Sequence, residues 1–316
     1  MGRYILRRSI QTAFVLLVMS FLIYNLIGLM PGDPLDTMIE SGPGMSPEAM
    51  ASLRAMYGLD QPLALRYWHW LQATLQGDLG YSRTHSVPVM QVIAPALWST
   101  CKLMVISFLV SVVLAFILGI VSALRPGGIA DGLISLLAFA GISVPVFWLA
   151  LMMILIFSVK LHWLPASGTY TSGDGGVVDQ ARYLVMPVIT LALSHVGGFT
   201  RFIRSSMIET LRMDHIRTAR AKGNTETRVV LFHALRNAMI PVLTVMALSF
   251  GALFNGALLT ETMFAQPGMG KMIYDSINSN DFNLALSGLL FAALVTLLCN
   301  LIADLAYAWL DPRISL

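Results

Sequence analysis

The stretch RTARAKGNTETRVVLFHALRNAMIP, from Arg217 to Pro241, is the most polar passage of an otherwise apolar chain. Eight of the twenty Lys and Arg residues lie between Arg201 and Arg236. The stretch separates two long apolar segments, so its placement decides how the chain is folded. Three kinds of site could explain the basic cluster: a nucleic-acid site, a patch for anionic lipid, or a docking surface for another protein.

The composition around this stretch is that of a membrane protein. The chain has 316 residues, of which 56% are hydrophobic and 12% charged, and its mean hydropathy is +0.73. Soluble domains carry about 25% charged residues. Six apolar segments are long enough to cross about 30 Å of hydrocarbon. We therefore predict an all-α polytopic membrane protein whose six spans cover residues 10–29, 97–124, 132–159, 183–203, 238–260 and 284–310.

The basic residues predict the orientation of these spans. Lys and Arg are enriched in cytoplasmic loops. With the N-terminus in the cytoplasm, the large cluster between Arg201 and Arg236 also lies inside, whereas the opposite orientation would place it outside. We therefore expect cytoplasmic N- and C-termini and a cytosolic position for the quoted stretch.

The segment between the first two spans is too long for a simple connection. We divide the chain into residues 1–30 (cytoplasmic tip and first span), 31–95 (external helical insertion) and 96–316 (the other five spans, with a cytosolic loop at 205–238). Ser46, Pro47 and Gly58 predict one short helix in the insertion. A second should follow Asp60 and carry RYWHWLQATL, whose aromatic residues suit either a membrane-interface belt or small core, or a surface for a partner.

The sequence offers little support for catalysis or metal binding. The six histidines show no metal-ligand spacing. The piece PGMGKM resembles a phosphate-binding loop, but Ala265 stands where the first glycine belongs and Met272 replaces the Ser or Thr that would bind magnesium. We expect that this chain is not an enzyme and does not hydrolyse ATP.

Charged and amide side chains within the spans are candidates for substrate passage, because a charge in the hydrocarbon is costly. Glu261, Asp304 and Asn300 are the candidates for a substrate path. Glu261 lies near the outer end of its span, where its side chain is expected to reach out to the interface. Asp304 could form a structural ion pair or take part in substrate passage. A proton-coupled secondary transporter remains an alternative function, although few ionisable residues in the spans support it.

The quoted stretch divides at Gly223. Before it, DHIRTARAK can form about two helical turns that Gly223 ends by adopting a left-handed conformation. After it, Asn224 or Thr225 can begin a second helix, with Val229, Phe232 and Leu235 on one apolar face. Nucleic acid is disfavoured because aromatic residues do not alternate with the basic ones. A lipid patch leaves the small residues unexplained, so a docking surface on a short, rigidly attached helix is favoured.

The passage resembles the EAA loop of ABC importer permeases in the variant typical of the dipeptide, oligopeptide and nickel permeases, where TARAKG precedes HALRNAxxP. Arg217 and Thr218 stand where the general EAA consensus has Glu and its first Ala. Further stretches along the whole chain are similar to the same family: ILRR (5–8), MPGDP (30–34), YGLDQPL (57–63), GDLGYS (77–82), VPVFW (144–148) and LTETMFAQPGMG (259–270).

The resemblance implies one of two membrane subunits of an importer in the bacterial cytoplasmic (inner) membrane. An external solute-binding protein would deliver substrate, and two cytosolic ATPases would bind ATP and Mg²⁺, so no cofactor is expected on this chain. The substrate would be a di- or oligopeptide, with nickel chelates, glutathione or glycosides as alternatives. A coupling helix over residues 214–223 would dock on an ATPase. Polar contacts would come from Arg217, Arg220 and Lys222, and close approach would be allowed by Ala219, Ala221 and Gly223. The docking surface would also include Asp214 and Thr218.

Overall fold

The computed structural model describes residues 2–29, 52, 60–173 and 175–310. These residues are mostly helical and contain no strand, only isolated bridge residues, of which Tyr81 and Pro88 pair with each other. The α-helices are α1 (Gly2–Gly28), α2 (Leu63–Leu75), α3 (Val89–Leu124), α4 (Ile129–Ser143), α5 (Val146–Met153), α6 (Val177–Leu211), α7 (Asp214–Ala221), α8 (Glu226–Arg228), α9 (Leu235–Met263), α10 (Met269–Asn278) and α11 (Phe282–Leu310). Two π-helices are also present: Ile154–Lys160 continues α5, and Val229–Ala234 lies directly before α9.

Within the described ranges, four helices are long and apolar enough to cross a membrane, and two bent helix pairs bring the number to six if each pair forms one span. The four single helices lie in α1, α3, α6 and α11. One bent pair consists of α4 followed by α5 with its π-helix. The other consists of Glu226–Met239 and Pro241–Gly251, the segment that contains α8, the second π-helix and the first part of α9. This confirms the all-α polytopic fold. The helices extend beyond the predicted apolar segments; α3, for example, begins at Val89 rather than at residue 97.

The third predicted segment is broken into two helices that meet at 104°. Pro145 has no backbone N–H to continue a helix, and a proline disfavours the helical conformation of the residue before it. Val144 is accordingly extended (φ −87°, ψ 124°), and α5 begins directly after Pro145. The single segment 132–159 of the sequence prediction is therefore a sharply bent pair.

Small residues bring α3, α4 and α6 into close contact. A Cβ atom placed on Gly119 of α3 would lie 2.7 Å from the side chain of Ile203 on α6. One placed on Gly197 of α6 would lie 2.3 Å from the carbonyl oxygen of Ala138 on α4. Glycine at both positions lets the backbones approach, as is common between membrane helices, and it fixes α4 and α6 as neighbours.

Helix α2 forms where the sequence predicts it and packs between α1 and α11. Tyr67 and Trp70 contact Tyr24 of α1 at ring-centroid distances of 5.6 and 5.4 Å, and Tyr24 also contacts Phe282 of α11 at 6.2 Å. These aromatic rings form a small core, whereas Trp68 is exposed. Of the other predicted helix, 46–58, only Ser52 is among the described residues, so that prediction lies outside them.

The loop after α2 is attached to the corner between α10 and α11. Ser82 Oγ donates a hydrogen bond to the Asp281 carboxylate at 2.5 Å, and the backbone N–H of Thr84 donates to the same oxygen at 3.0 Å. Burial alone would raise the pKa of Asp281, but hydrogen bonds from Ser82 and from backbone N–H groups outweigh it, so the pKa lies below its ordinary value. The loop is thereby anchored to the helical bundle.

Candidate functional site

Helix α7 lies between the end of α6 and the π-helix that precedes α9. Two of its residues, Ile216 and Ala219, are buried and lie on one side of the helix because they are three positions apart. They belong to an apolar cluster with Met207 of α6 and with Val229 and Val230 of the π-helix. The helix is therefore attached by a narrow apolar face, which leaves its remaining surface open.

The end of α7 follows the prediction from sequence. Gly223 has a φ of +76°, in the left-handed region, and its N–H donates to the carbonyl of Arg220 at 2.9 Å. Asn224 turns back, and its Nδ2 donates to the carbonyl of Ala219 at 2.9 Å. Asn224 thus completes the end of α7, and Thr225 precedes α8 without a side-chain capping bond.

The apolar face expected on the following helix is wrong in detail. Val229 is buried as predicted, but Phe232 is 70% exposed, while Val230 and Ala234 are buried. The cause is the π-helix at Val229–Ala234, whose wider i→i+5 turns align residues four and five apart instead of three and four. An α-helical period applied to this segment therefore selects the wrong side chains.

Polar contacts join α7 to both neighbouring spans. The backbone N–H of Met213, just before α7, donates to the carbonyl of Thr210 in α6 at 3.1 Å. Asn237 Nδ2 of α9 donates to His215 Nε2 of α7 at 3.1 Å. Ser206 Oγ of α6 donates to the carbonyl of Ala238 in α9 at 2.8 Å. A displacement of α7 would therefore be transmitted to the ends of α6 and α9.

Seven of the eight residues predicted for the docking surface are exposed: Asp214, Arg217, Thr218, Arg220, Ala221, Lys222 and Gly223. The exception is Ala219, which is 5% exposed. Its small side chain lets α7 approach its own chain, so it does not lie on the open surface as the sequence interpretation assumed. The other small residue of the helix, Ala221, remains accessible.

The charges on α7 are weakly held. Arg217 pairs with Asp214 at 3.4 Å, and their side chains are 75% and 93% exposed. Arg220 pairs with Glu226 at 2.7 Å, also at the surface. Exposed ion pairs contribute about 0–1 kcal/mol. These side chains can therefore exchange their present partners for those of a docked protein at little cost.

Glu261 lies at the opposite end of the bundle from α7, and the expectation that it reaches the outer interface is wrong. It is 1% exposed, and its carboxylate accepts hydrogen bonds from Thr100 Oγ1 at 2.6 Å and from the N–H of Gly270 at 2.7 Å. A Cβ on Gly268 would lie 2.1 Å from this carboxylate, so glycine is needed there. Donors from the protein satisfy Glu261, and it joins α3 to the α9–α10 connection.

The two other candidates for a substrate path have structural partners. Asp304 of α11 forms a 3.2 Å ion pair with Arg8 of α1, which is the structural pairing that the sequence left open. A Cβ on Gly251 would lie 2.5 Å from Asn300 Oδ1, so Asn300 packs closely against α9. Across the described part of the chain, no three His, Cys, Asp or Glu side chains are grouped to hold a metal ion.

The sequence interpretation counted Arg201 with the cytosolic basic residues and named no contact for it. Arg204, one turn later on α6, forms two hydrogen bonds with Asp131 of α4 at 2.6 and 2.8 Å. Arg201 does not share this carboxylate: its guanidinium carbon lies 4.9 Å from the centre of the Phe139 ring on α4. Long helical side chains lean towards the N-terminus of their helix, and this rule could have indicated that Arg201 points into the span.

The chain matches two models of one transporter family. Residues 115–316 match "Binding-protein-dependent transport system inner membrane component", and residues 1–104 match the N-terminal part of the same membrane component. Curated relatives align over their full lengths. The dipeptide transport system permease protein DppB of Alkalihalophilus pseudofirmus is 38% identical over 99% of both chains. The oligopeptide transport system permease protein AppB of Bacillus subtilis is 35% identical over 100% of both, and DppB of Escherichia coli K12 is 35% identical over 99% of both.

Solved structures share the fold at low sequence identity. An inward-facing conformation of the MetNI methionine ABC transporter matches with a TM-score of 0.57 and 17% identity, over 70% of this chain and 97% of that one. An amino acid ABC transporter matches with a TM-score of 0.52 and 13% identity, over 70% and 94%. The family matches, the full-length relatives and the helical membrane fold agree: the chain belongs to the peptide permeases of the binding-protein-dependent ABC importers, as an inner membrane component.

Proposed function

We propose that this permease carries di- or oligopeptides across the cytoplasmic membrane together with a second, homologous permease, and that α7 is the coupling helix on which a cytosolic ATPase docks. A solute-binding protein delivers the peptide on the external side. ATP and Mg²⁺ are bound by two ATPase subunits. In this orientation both termini and α7 are cytoplasmic, and α10 is external.

The observation that carries the proposal is the way α7 is mounted. One narrow face, Ile216 and Ala219, is packed on the chain's own core, and the opposite faces present charged and small residues to solvent. The helix is tied to α6 and α9 by the contacts at Met213 and His215. Such a helix can receive a push from a neighbouring protein and pass it to two spans, which is what ATP-driven alternating access requires.

Ala221 provides the most direct test of docking. It is exposed and lies on α7 away from the buried face, so Ala221→Trp should block close approach of an ATPase while the permease still folds. Ala219→Glu would instead bury a carboxylate in the core and report on folding. Arg125→Trp is the matched control, because Arg125 is exposed at the same end of the bundle but lies outside α7.

The measurement is co-purification of the ATPases with the permease pair, followed by ATP-driven peptide uptake in proteoliposomes. We expect Ala221→Trp to lose both and Arg125→Trp to retain both. Normal ATPase recovery and uptake with Ala221→Trp would refute the docking proposal. Uptake that continues without ATP would instead support the proton-coupled alternative, which family membership already disfavours.

Single cysteines test the orientation separately. Thr225→Cys, in the turn after α7, and Asn278→Cys, at the end of α10, are both at exposed positions at opposite ends of the bundle. A membrane-impermeant thiol reagent should reach Thr225→Cys only from the cytoplasmic side and Asn278→Cys only from the external side. The reverse pattern would overturn the orientation.

A further inference from the structure

An open cavity of about 560 Å³ lies between α4 and α6, and the proposed docking surface does not include it. Its lining combines two aromatic rings, two hydroxyl groups, two guanidinium groups and one glycine: Phe139, Phe202, Ser135, Ser205, Arg201, Arg204 and Gly198. Its volume is within the range of small-ligand sites, which is about 300–1,000 Å³. Mixed apolar walls with a few directed polar groups are typical of such sites.

The two arginines of the cavity differ in partner and in depth. Arg204 is held by Asp131, close to the start of α4. Arg201 lies against the ring of Phe139, which follows Asp131 by eight residues, or about 12 Å along the helix. Within the described ranges, no carboxylate forms a salt bridge with Arg201. A guanidinium that is exposed and has no counter-ion among the described residues therefore lies well beyond the start of α4, within the apolar length of the bent pair.

A charge at this depth is unfavourable against lipid. Ionisable residues within spans almost always face the bundle interior or a water-filled cavity. Arg201 and Phe139 are both exposed on the surface of this chain, so the required water must lie on that surface. A path between this permease and its partner permease would provide it.

Building on the proposed function, we propose that Arg201 lines the translocation path and binds the C-terminal carboxylate of the passing peptide. A guanidinium can donate two parallel N–H bonds to a carboxylate. The Phe139 ring supports the guanidinium by a cation–π contact and leaves its N–H edge available. Every unmodified peptide carries this carboxylate whatever its side chains, so one arginine could serve many sequences.

Gly198 keeps the cavity open. A Cβ atom placed on it would meet no atom within 4 Å, in contrast to its neighbour Gly197, which packs against α4. A cysteine is therefore accommodated at position 198 and reports on the cavity directly. The two native cysteines, Cys101 and Cys299, are replaced by alanine so that Gly198→Cys is the only thiol of this chain, and labelling is read on this chain after the subunits are separated.

The experiment uses the complete importer in proteoliposomes and compares two membrane-impermeant thiol reagents, one anionic and one cationic. If the cavity is hydrated and electropositive, Gly198→Cys reacts faster with the anionic reagent, and Arg201→Gln removes this preference. Dialanine at millimolar concentration should slow the labelling, whereas dialanine amide, which has no carboxylate, should not. We expect Arg201→Gln to weaken the protection by dialanine about tenfold, the effect of losing one charge-assisted hydrogen-bonded pair.

Arg201→Lys separates charge from geometry. It should keep the preference for the anionic reagent but lose most of the protection by dialanine, because an ammonium group lacks the two-pronged geometry. Equal protection by dialanine and its amide, or protection that survives Arg201→Gln, would overturn the proposal. So would a cysteine at position 198 that reacts only with a lipid-soluble maleimide, because the face would then lie against lipid.

These outcomes are independent of ATPase docking. ATPase co-purification with Arg201→Gln should match that of the unmodified importer, since Arg201 lies three turns from α7. A lipid-facing position 198 with normal ATPase recovery would refute the peptide site alone. Loss of ATPase recovery with Ala221→Trp supports the proposed function whatever is found at position 198.

Discussion

Helices α7 and α10 are both short connections between spans, but they are held in opposite ways. Helix α7 buries two residues and exposes the rest, whereas α10 buries five of its ten: Met269, Gly270, Met272, Ile273 and Ser276. Helix α10 packs directly on α9 and α11 and belongs to the core. Helix α7 is mounted on the core, which leaves it available to another protein. Substitutions in α10 should therefore affect folding, and those on the open face of α7 should affect coupling.

The largest effect expected from this difference concerns two glycines. A Cβ on Gly270 would lie 2.3 Å from the backbone of Leu258, so Gly270→Ala should force α10 away from α9 and destabilise the fold by about 3 kcal/mol. A Cβ on Gly223 would meet no atom within 4 Å, but its φ of +76° makes Gly223→Ala cost about 1–2 kcal/mol.

Both variants can be compared by unfolding in mixed detergent micelles, followed by tryptophan fluorescence. Gly132→Ala is the matched control, because Gly132 lies in a helix and an added Cβ would meet no atom within 4 Å there. A stability loss for Gly270→Ala no greater than that for Gly223→Ala would show that α10 is not packed more tightly than α7.

A smaller effect is expected from two carboxylates. Glu261→Ala removes one of two acceptors of the Thr100 hydroxyl and the acceptor of the Gly270 N–H, and leaving that buried N–H unpaired should cost about 2 kcal/mol. Glu226→Ala removes the exposed partner of Arg220 next to α7 and should cost less than about 1 kcal/mol. The same unfolding measurement applies, and equal losses would contradict the contrast between the two ends of the bundle.

The smallest effect is expected when the pH is lowered and Asp281 becomes protonated. The pKa of Asp281 is below its ordinary value in the folded protein. The hydrogen bonds that Asp281 accepts from Ser82 and Thr84 therefore stabilise the fold fully when the pH is above the ordinary carboxyl pKa. This stabilisation is lost as the pH falls from the ordinary pKa through the lower pKa of the folded state. Proteolysis of the loop before α3, followed as the pH is lowered, should increase over that interval. Asp281→Asn should make the cleavage rate much less dependent on pH, and an unchanged profile would exclude Asp281 as the cause.

The spans and the end of α7 could be predicted from local sequence. Apolar segments of about twenty residues indicate membrane helices, and Gly223 after a short polar helix indicates its end. The break at Pro145 follows from proline chemistry, but the 104° angle depends on packing. Local rules succeed here because the deciding interactions lie within a few residues of one another.

The partners of the buried polar groups could not be predicted in this way. Glu261 is bonded to Thr100, 161 positions away in sequence, and Asp131 is bonded to Arg204, 73 positions away. Sequence periodicity also could not show that Ala219 faces inward, because that depends on how the π-helix presents Val229 and Val230 to α7. These contacts are properties of the folded chain.

The π-helix at Val229–Ala234 has a further consequence for how such chains can diverge. Relative to an α-helix it accommodates one additional residue, and each residue of an α-helix advances the chain by about 100° around the axis. Loss of one amino acid there would therefore be absorbed, because the wide turn would become an ordinary α-helical one and Leu235 to Met263 would keep their orientation. The same loss inside α9 would rotate the residues that follow by about 100° and turn Glu261 away from Thr100.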